Sequence, residues 1–172
     1  PLLSGGCLYL YQDLAGLDIP QLWQYCIEHQ LDFAFLAPAL LKECDQYAIA
    51  QQAVFPLQKI ATGAEALQGS LLKSLLKSNP RLQILNAYGP SEATIVATMA
   101  LYTRQSDATV ISDQAVSIGK PLANVQVYLL DPADQLVPIG VVGELCIGGK
   151  SLARGYLQQP DLSAEKFVDN PL

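Results

Sequence analysis

Apolar residues in this 172-residue chain recur with two different periods, and the changes of period mark its elements. Leu8 to Tyr11 reads as a short strand. Asp18 then supplies an N-cap, Pro20 falls in the first turn and Gln21 stands at capping-box spacing. Leu22, Trp23, Cys26 and Ile27 follow at helical spacing and predict an amphipathic helix to about His29. Phe33 to Leu36 reads as a buried strand, and Pro38 as the opening of a short helix carrying Leu40 and Leu41. Leu57 to Thr62 is a further strand. Leu67, Leu71, Leu72, Leu75 and Leu76 trace one face of a helix, with Lys73 and Lys77 outside it. Gln83 to Asn86 is a strand again, and an apolar run from Ile95 to Met99 follows. Strands alternating with helices predict βαβ units and a parallel sheet.

After Asp107 the pattern changes. Val125 to Leu130 is rich in β-formers, Asp131 to Asp134 is a turn, and Glu144 to Ile147 is a strand ahead of Gly148 and Gly149. Short strands with close turns predict a small antiparallel, barrel-like sheet. Asp161 to Phe167, behind Pro160, reads as a last short helix. Thr103, Gln105, Ser106, Asp107 and Ser112 make a polar connection. The expected division is an α/β lobe over residues 1–107 and a β-rich lobe over 116–172.

Composition narrows the class. Apolar residues are 51% of the chain and charged residues 15%, too core-rich for a disordered segment. The formal net charge is -6, and the ten Lys and Arg are scattered singly, without the basic stripe a nucleic-acid groove needs. No apolar run reaches the ~20 residues of a membrane span, and no basic n-region opens the sequence, so a cytoplasmic protein is expected. Cys7, Cys26, Cys44 and Cys146 sit in apolar contexts without a CxxC spacing, which predicts reduced core thiols rather than a disulfide or metal site. His29 is the single histidine and has no nucleophile elbow beside it, which disfavours the common hydrolase mechanisms.

The segment that carries chemistry is Asn86-Ala87-Tyr88-Gly89-Pro90-Ser91-Glu92-Ala93-Thr94. It follows a buried strand, and open parallel sheets bind ligands at the carboxyl ends of their strands. A Gly-Pro turn can direct backbone N–H groups at a phosphate, with the Ser91 hydroxyl as a further donor. Glu92 is a hard oxygen ligand of the kind Mg²⁺ takes beside phosphate oxygens, and Tyr88 can lay its ring on a purine. These parts fit a nucleotide site. They equally fit an ordinary Gly-Pro turn whose Ser and Glu start a helix.

Those nine residues resemble the Asn-x-Tyr-Gly-Pro-Thr-Glu core motif of adenylate-forming enzymes, and most closely that of the adenylation domains of nonribosomal peptide synthetases. Three more segments match in order. Ile60 to Leu67 resembles the family's Gly-Gly-Glu-Ala-Leu strand-to-helix turn, and Ser117 to Asn124 its Pro-Ile-Gly-x-Pro-x-x-Asn entry to the barrel. Gly143 to Gly149 with Leu152 to Leu157 resembles its Gly-Glu-Leu-x-Ile-x-Gly…Ala-Arg-Gly-Tyr-Leu motif. The resemblance covers essentially the whole chain.

The resemblance implies the fold of the large N-terminal domain of such an enzyme, and roles at matching positions. Ser91, where the family usually has Thr, and Glu92 are the catalytic positions, Ser91 toward the α-phosphate and Glu92 as the Mg²⁺ ligand. Gly63, Ala64, Asn86, Ala87, Tyr88, Gly89 and Ser91 would contact ATP or AMP, with Tyr88 stacked on adenine; Ala64 replaces a glycine often found there. Phe35, Ile60, Thr62, Ala87, Ile95 and Val96 would form a mostly apolar amino-acid pocket, although periodicity alone makes them core. Glu144 and Arg154 belong to a motif that reads as architectural, Arg154 being also a candidate for a substrate- or carrier-facing role. The implied activity is conversion of an amino acid and Mg·ATP to aminoacyl-AMP and pyrophosphate, then loading of a phosphopantetheine thiol. The implied partners are an apolar amino acid, the rest of the adenylation domain, and peptidyl carrier and condensation domains, with no nucleic acid or membrane.

The 172 residues contain neither the family's Ser/Thr/Gly-rich loop ending in Lys nor its Tyr-x-Thr-Gly-Asp motif. The expectation is a central fragment that is inactive alone. An acyl-CoA or fatty-acyl-AMP ligase segment shares the Tyr-Gly-x-x-Glu core and stays open, as does a non-catalytic structural or docking module.

Overall fold

The computed structural model describes residues 3, 5–11, 18–106, 111–113 and 116–170. Helix α1 (Ile19–Glu28) starts as its cap signals predict, with Asp18 Oδ1 accepting from the Gln21 N–H at 2.7 Å and Pro20 in the first turn. It buries Trp23 and Cys26. Strand β1 (Phe33–Phe35) leads to α2 (Pro38–Gln51), then β2 (Lys59–Thr62), α3 (Gly69–Ser78) and β3 (Gln83–Tyr88).

These strands run parallel in the order β1-β2-β3, as the alternation predicts. Two further strands extend the sheet antiparallel, β4 (Thr98–Tyr102) beside β3 and β5 (Lys120–Pro121) beside β4. Register aligns Ala34, Ile60, Ile84 and Tyr102 across the sheet. This row packs with Leu41 and Cys44 of α2 and with Leu72, Leu75 and Leu76 of α3 in one core. The opposite face stays open, with Phe33, Phe35 and Leu101 exposed. Asn79, which caps α3, is buried and satisfied: its Nδ2 donates to the carbonyls of Phe55 and Leu57, and its Oδ1 accepts from the Arg81 N–H.

The second sheet is antiparallel, as expected, and among the described residues it has two strands, β6 (Val125–Leu130) and β7 (Glu144–Gly149). Helix α4 (Pro160–Lys166) follows. The expected lobe boundary lies partly outside the described residues, at 107–110 and 114–115.

Four expectations are corrected. Leu8 to Tyr11 forms no strand; instead the Tyr9 ring packs on His29 and the Tyr11 ring on Tyr25, against α1. The helix opened by Pro38 is not short, because Leu41, Cys44, Asp45 and Ala48 continue a buried stripe through 14 residues. Leu67 is buried but precedes α3 rather than belonging to it. Cys26 and Cys44 are core thiols, whereas Cys7 is exposed and Cys146 half-buried; all four are unpaired.

Candidate functional site

A cleft of about 430 Å³ opens at the carboxyl ends of β2 and β3. Its walls are Ala64 to Leu67 after β2, Asn86 to Pro90 at the end of β3, and Val116 and Ile118. This is where an open α/β sheet binds ligands. The strand carrying the motif runs two residues further than the apolar pattern indicates, so Ala87 and Tyr88 stand on β3 itself. Tyr88 is partly exposed at the rim.

Close approach of the two strands explains Gly63. A Cβ there would collide with the Ala87 carbonyl oxygen. The next residue, Ala64, has φ +70°, a left-handed conformation that a glycine would take without strain. Asn86 is buried, and its Nδ2 donates to the Ser117 carbonyl at 3.0 Å. Tyr102 donates to the same carbonyl at 3.0 Å, and Thr98 Oγ1 to that of Ile118 at 2.8 Å. Three polar side chains of β3 and β4 therefore fix the 116–119 wall. Asn86 shapes the cleft while lining it.

Beyond Pro90 the chain makes a single 3-10 turn, Ser91–Ala93, and Thr94 and Ile95 follow in the left-handed region at φ +58° and +69°. Ser91 is exposed at the head of this turn, outside the cleft walls. The turn is clasped by residues 151–156. Thr94 Oγ1 donates to the Ser151 carbonyl at 2.6 Å, the Ala153 N–H to the Glu92 carbonyl at 2.7 Å, and the Tyr156 hydroxyl to Glu92 Oε1 at 2.6 Å. The Tyr156 hydrogen bond, with one from the backbone, holds the Glu92 carboxyl below the ordinary Glu range. The same bond raises the Tyr156 phenol, because ionising it would discard the donor and set two negative charges together.

The structure gathers Ala64, Asn86, Ala87, Tyr88 and Gly89 on one cleft, with Gly63 beneath. It does not gather the six residues expected to form the amino-acid pocket. Ile60 and Thr62 point toward the helices and are fully buried, Ile60 within the hydrophobic core. Phe35, in the row of Ala61 and Leu85, and Ala87, opposite Met99, alternate onto the open face. Ile95 is 71% exposed on the left-handed turn and Val96 half-buried behind it. Thr62 Oγ1 is buried without a partner. Sequence reasoning missed Val116 and Ile118 as walls and Tyr156 as the partner of Glu92. All three lie in or beside matched motifs, which was the available signal.

Among the described residues no cluster of three metal-ligating side chains exists. Glu92 therefore offers its carboxylate outside any such cluster. That fits Mg²⁺, which binds through one or two carboxylates with phosphate oxygens and water completing its shell.

The fold and cleft are those of an open-sheet α/β protein with a ligand site at its strand ends, and comparison with known proteins specifies the family. The family model described as "AMP-binding enzyme" matches residues 1–157, and the chain belongs to that family. Among curated proteins it is similar to malpinin synthetase of Mortierella alpina, 39% identical over 173 residues, covering 99% of this chain and 2% of that protein. It is also similar to tyrocidine synthase 1 of Brevibacillus parabrevis, 38% identical over 170 residues, 99% of this chain and 14% of that protein. The chain thus spans a small part of the relatives it matches. A solved NRPS protein containing adenylation and PCP domains superimposes with a TM-score of 0.80 at 28% identity, over 93% of this chain and 31% of that one. No helix among the described residues is long and apolar enough to cross a membrane.

Proposed function

We propose that this chain is the central part of an amino-acid-activating adenylation domain of a nonribosomal peptide synthetase, its 1–107 lobe carrying half of the nucleotide site and its 116–172 lobe bracing it. The observation that carries this reading is the cleft at the ends of β2 and β3, with the Glu92 turn immediately beyond Pro90. In the parent, a carboxylate oxygen of the amino acid attacks the α-phosphorus of ATP, and the bond to the bridging oxygen of pyrophosphate breaks. The carrier's phosphopantetheine thiol then loses its proton, its sulfur attacks the acyl carbon, and AMP leaves.

This chain's residues bind and orient. Tyr88 offers its ring to the base at the rim, and Ala64 and Gly89 line the cleft beside it. Ser91 supplies a hydroxyl toward the α-phosphate, and Glu92 would hold Mg²⁺. The ion, when bound, offsets charge on the phosphate oxygens. Phe35 and Ala87 on the open sheet face, with Ile95 and Val96, favour an apolar amino acid. Carrier and condensation domains are the proposed partners and the cytoplasm the proposed location.

The test is Glu92→Gln in the full-length synthetase, assayed by amino-acid-dependent pyrophosphate exchange. A loss of 10²-fold or so, the scale of a lost electrostatic contact in a transition state, is expected. An unchanged rate overturns the assignment. Activation of fatty acids but of no amino acid would instead identify an acyl ligase, and absence of ATP binding a non-catalytic module.

A further inference from the structure

Three hydrogen bonds clasp the Ser91–Ala93 turn and the residue after it, but only one reaches a carboxylate. The Ala153 N–H holds the Glu92 carbonyl and the Thr94 hydroxyl holds the Ser151 carbonyl, whereas Tyr156 reaches the Glu92 side chain. Glu on an exposed turn otherwise spreads over many rotamers. Tyr is a rigid partner with two side-chain torsions, and this one is itself held. Its N–H donates to Ser163 Oγ of α4 at 2.8 Å, and its ring stands edge-on to Phe167 with centroids 5.5 Å apart. Gly155 admits that approach: at φ +136° it lies where a Cβ would come within 2.9 Å of Ser163 Oγ. A line of contacts therefore runs from α4 through Tyr156 to Glu92, residues 64 positions apart.

We propose that Tyr156 is a positioning residue for Glu92, its hydroxyl fixing the direction of the carboxylate that, on the function proposed above, would hold the metal ion of the nucleotide. The 2.6 Å separation is that of a charge-assisted O–H···O⁻ bond. A carboxylate has acceptor positions on both oxygens, so a phenol on Oε1 leaves capacity for a cation. Partners that orient a metal ligand typically change metal affinity or activity 10–100-fold when removed.

Tyr156→Phe deletes the hydroxyl and keeps the ring on Phe167. Carboxyl NMR titration of the 172-residue protein should show the Glu92 midpoint rising toward the ordinary Glu range. In the full-length synthetase, the Mg²⁺ concentration for half-maximal pyrophosphate exchange should rise about tenfold. Ser163→Ala, which releases Tyr156 without touching Glu92, should move both readouts the same way by a smaller factor. An unchanged Mg²⁺ requirement in Tyr156→Phe overturns the proposal, even with a lowered melting temperature, since that pair of results is what a purely structural tyrosine gives. Glu92→Gln separates the two readings. If it raises the Mg²⁺ requirement and Tyr156→Phe does not, the positioning role alone fails. If neither variant raises it, the metal assignment of Glu92 fails as well.

Discussion

Two small residues of the cleft wall, Gly89 and Ala64, should respond in opposite directions when their side chains are exchanged. In Gly89→Ala the new Cβ would lie 2.5 Å from the Ala97 backbone nitrogen and 2.7 Å from the Ile95 carbonyl oxygen. Real Cβ contacts essentially never fall below 3.0 Å, so the backbone must open by about half an ångström. Neither obstacle is the yielding end of a side chain. The Ala97 N–H also donates to the Tyr88 carbonyl at 2.8 Å, a bond the displacement stretches. Overpacking costs about 1–3 kcal/mol and a weakened hydrogen bond about 1 kcal/mol, while alanine's stiffer unfolded chain returns about 0.4–1 kcal/mol. The expected net loss is roughly 2 kcal/mol. Ala64→Gly is the converse: at φ +70° it relieves about 1–2 kcal/mol of left-handed strain, against about 0.5–1 kcal/mol for glycine's extra freedom when unfolded. A net gain of about 0.5–1 kcal/mol follows. For a chain of this size these figures mean a melting temperature roughly 4–8 °C lower for the first variant and about 1–4 °C higher for the second. Urea titration of the 172-residue protein followed by circular dichroism would measure both. A neutral Gly89→Ala, or a destabilised Ala64→Gly, would refute the reasoning.

Ile60→Ala should destabilise by about 2–4 kcal/mol in the same assay, because Ile60 is fully buried, whereas Phe35→Ala at 58% exposure should change stability by less than about 0.5 kcal/mol and instead alter amino-acid preference in the parent. Reversed results would return Ile60 to the pocket. The Glu92 carboxyl is held low, so its stabilising contribution is present above the ordinary Glu value of about 4.3 and lost as pH falls through the folded value. The Ala153 amide resonance should stay constant from pH 7 to about 5 and shift only below ordinary Glu titration; a transition above pH 6 would contradict this. Burial pushes the Cys44 thiol up to about 12 and raises Cys26 as well. Iodoacetamide at pH 8 should therefore alkylate exposed Cys7 first and spare both until unfolding, as peptide mass spectrometry would show.

What could be read in the sequence, and what could not, follows from the range of the interactions. The cap of α1 and the face of α3 rest on residues three and four apart, and the chain states such contacts directly. The sidedness of the pocket residues depends on register. Ile60 pairs with Ile84 and Thr62 with Asn86, so both share the helix-covered face, while Ala87 is one residue out of step. The motif resemblance supplied the names of the site residues but not this alternation. Glu92 and Tyr156 are separated by a whole antiparallel sheet, and no local pattern joins them. Asp45 hid the length of α2, since a carboxylate inside the buried stripe interrupts the apolar period.

The direction of β4 was implicit in the spacing. Only nine residues separate Tyr88 from Thr98, and a parallel crossover needs a dozen or more. The strand after the motif can therefore only turn back beside β3, which makes the motif the loop of a hairpin. Such a loop projects beyond the sheet edge, which explains why Glu92 lies outside the cleft wall although Tyr88 lines it. It also explains the strain. Reversing direction while admitting the Ser91–Ala93 turn leaves Thr94 and Ile95, both β-branched, at φ +58° and +69°. Residues so placed persist when their surroundings over-determine them. Here the surroundings are the Thr94 bond to Ser151 on one side and the Ala97 bond to Tyr88 on the other. The clasp that aligns the Glu92 carboxylate is thus also what keeps its loop in an otherwise unfavourable conformation.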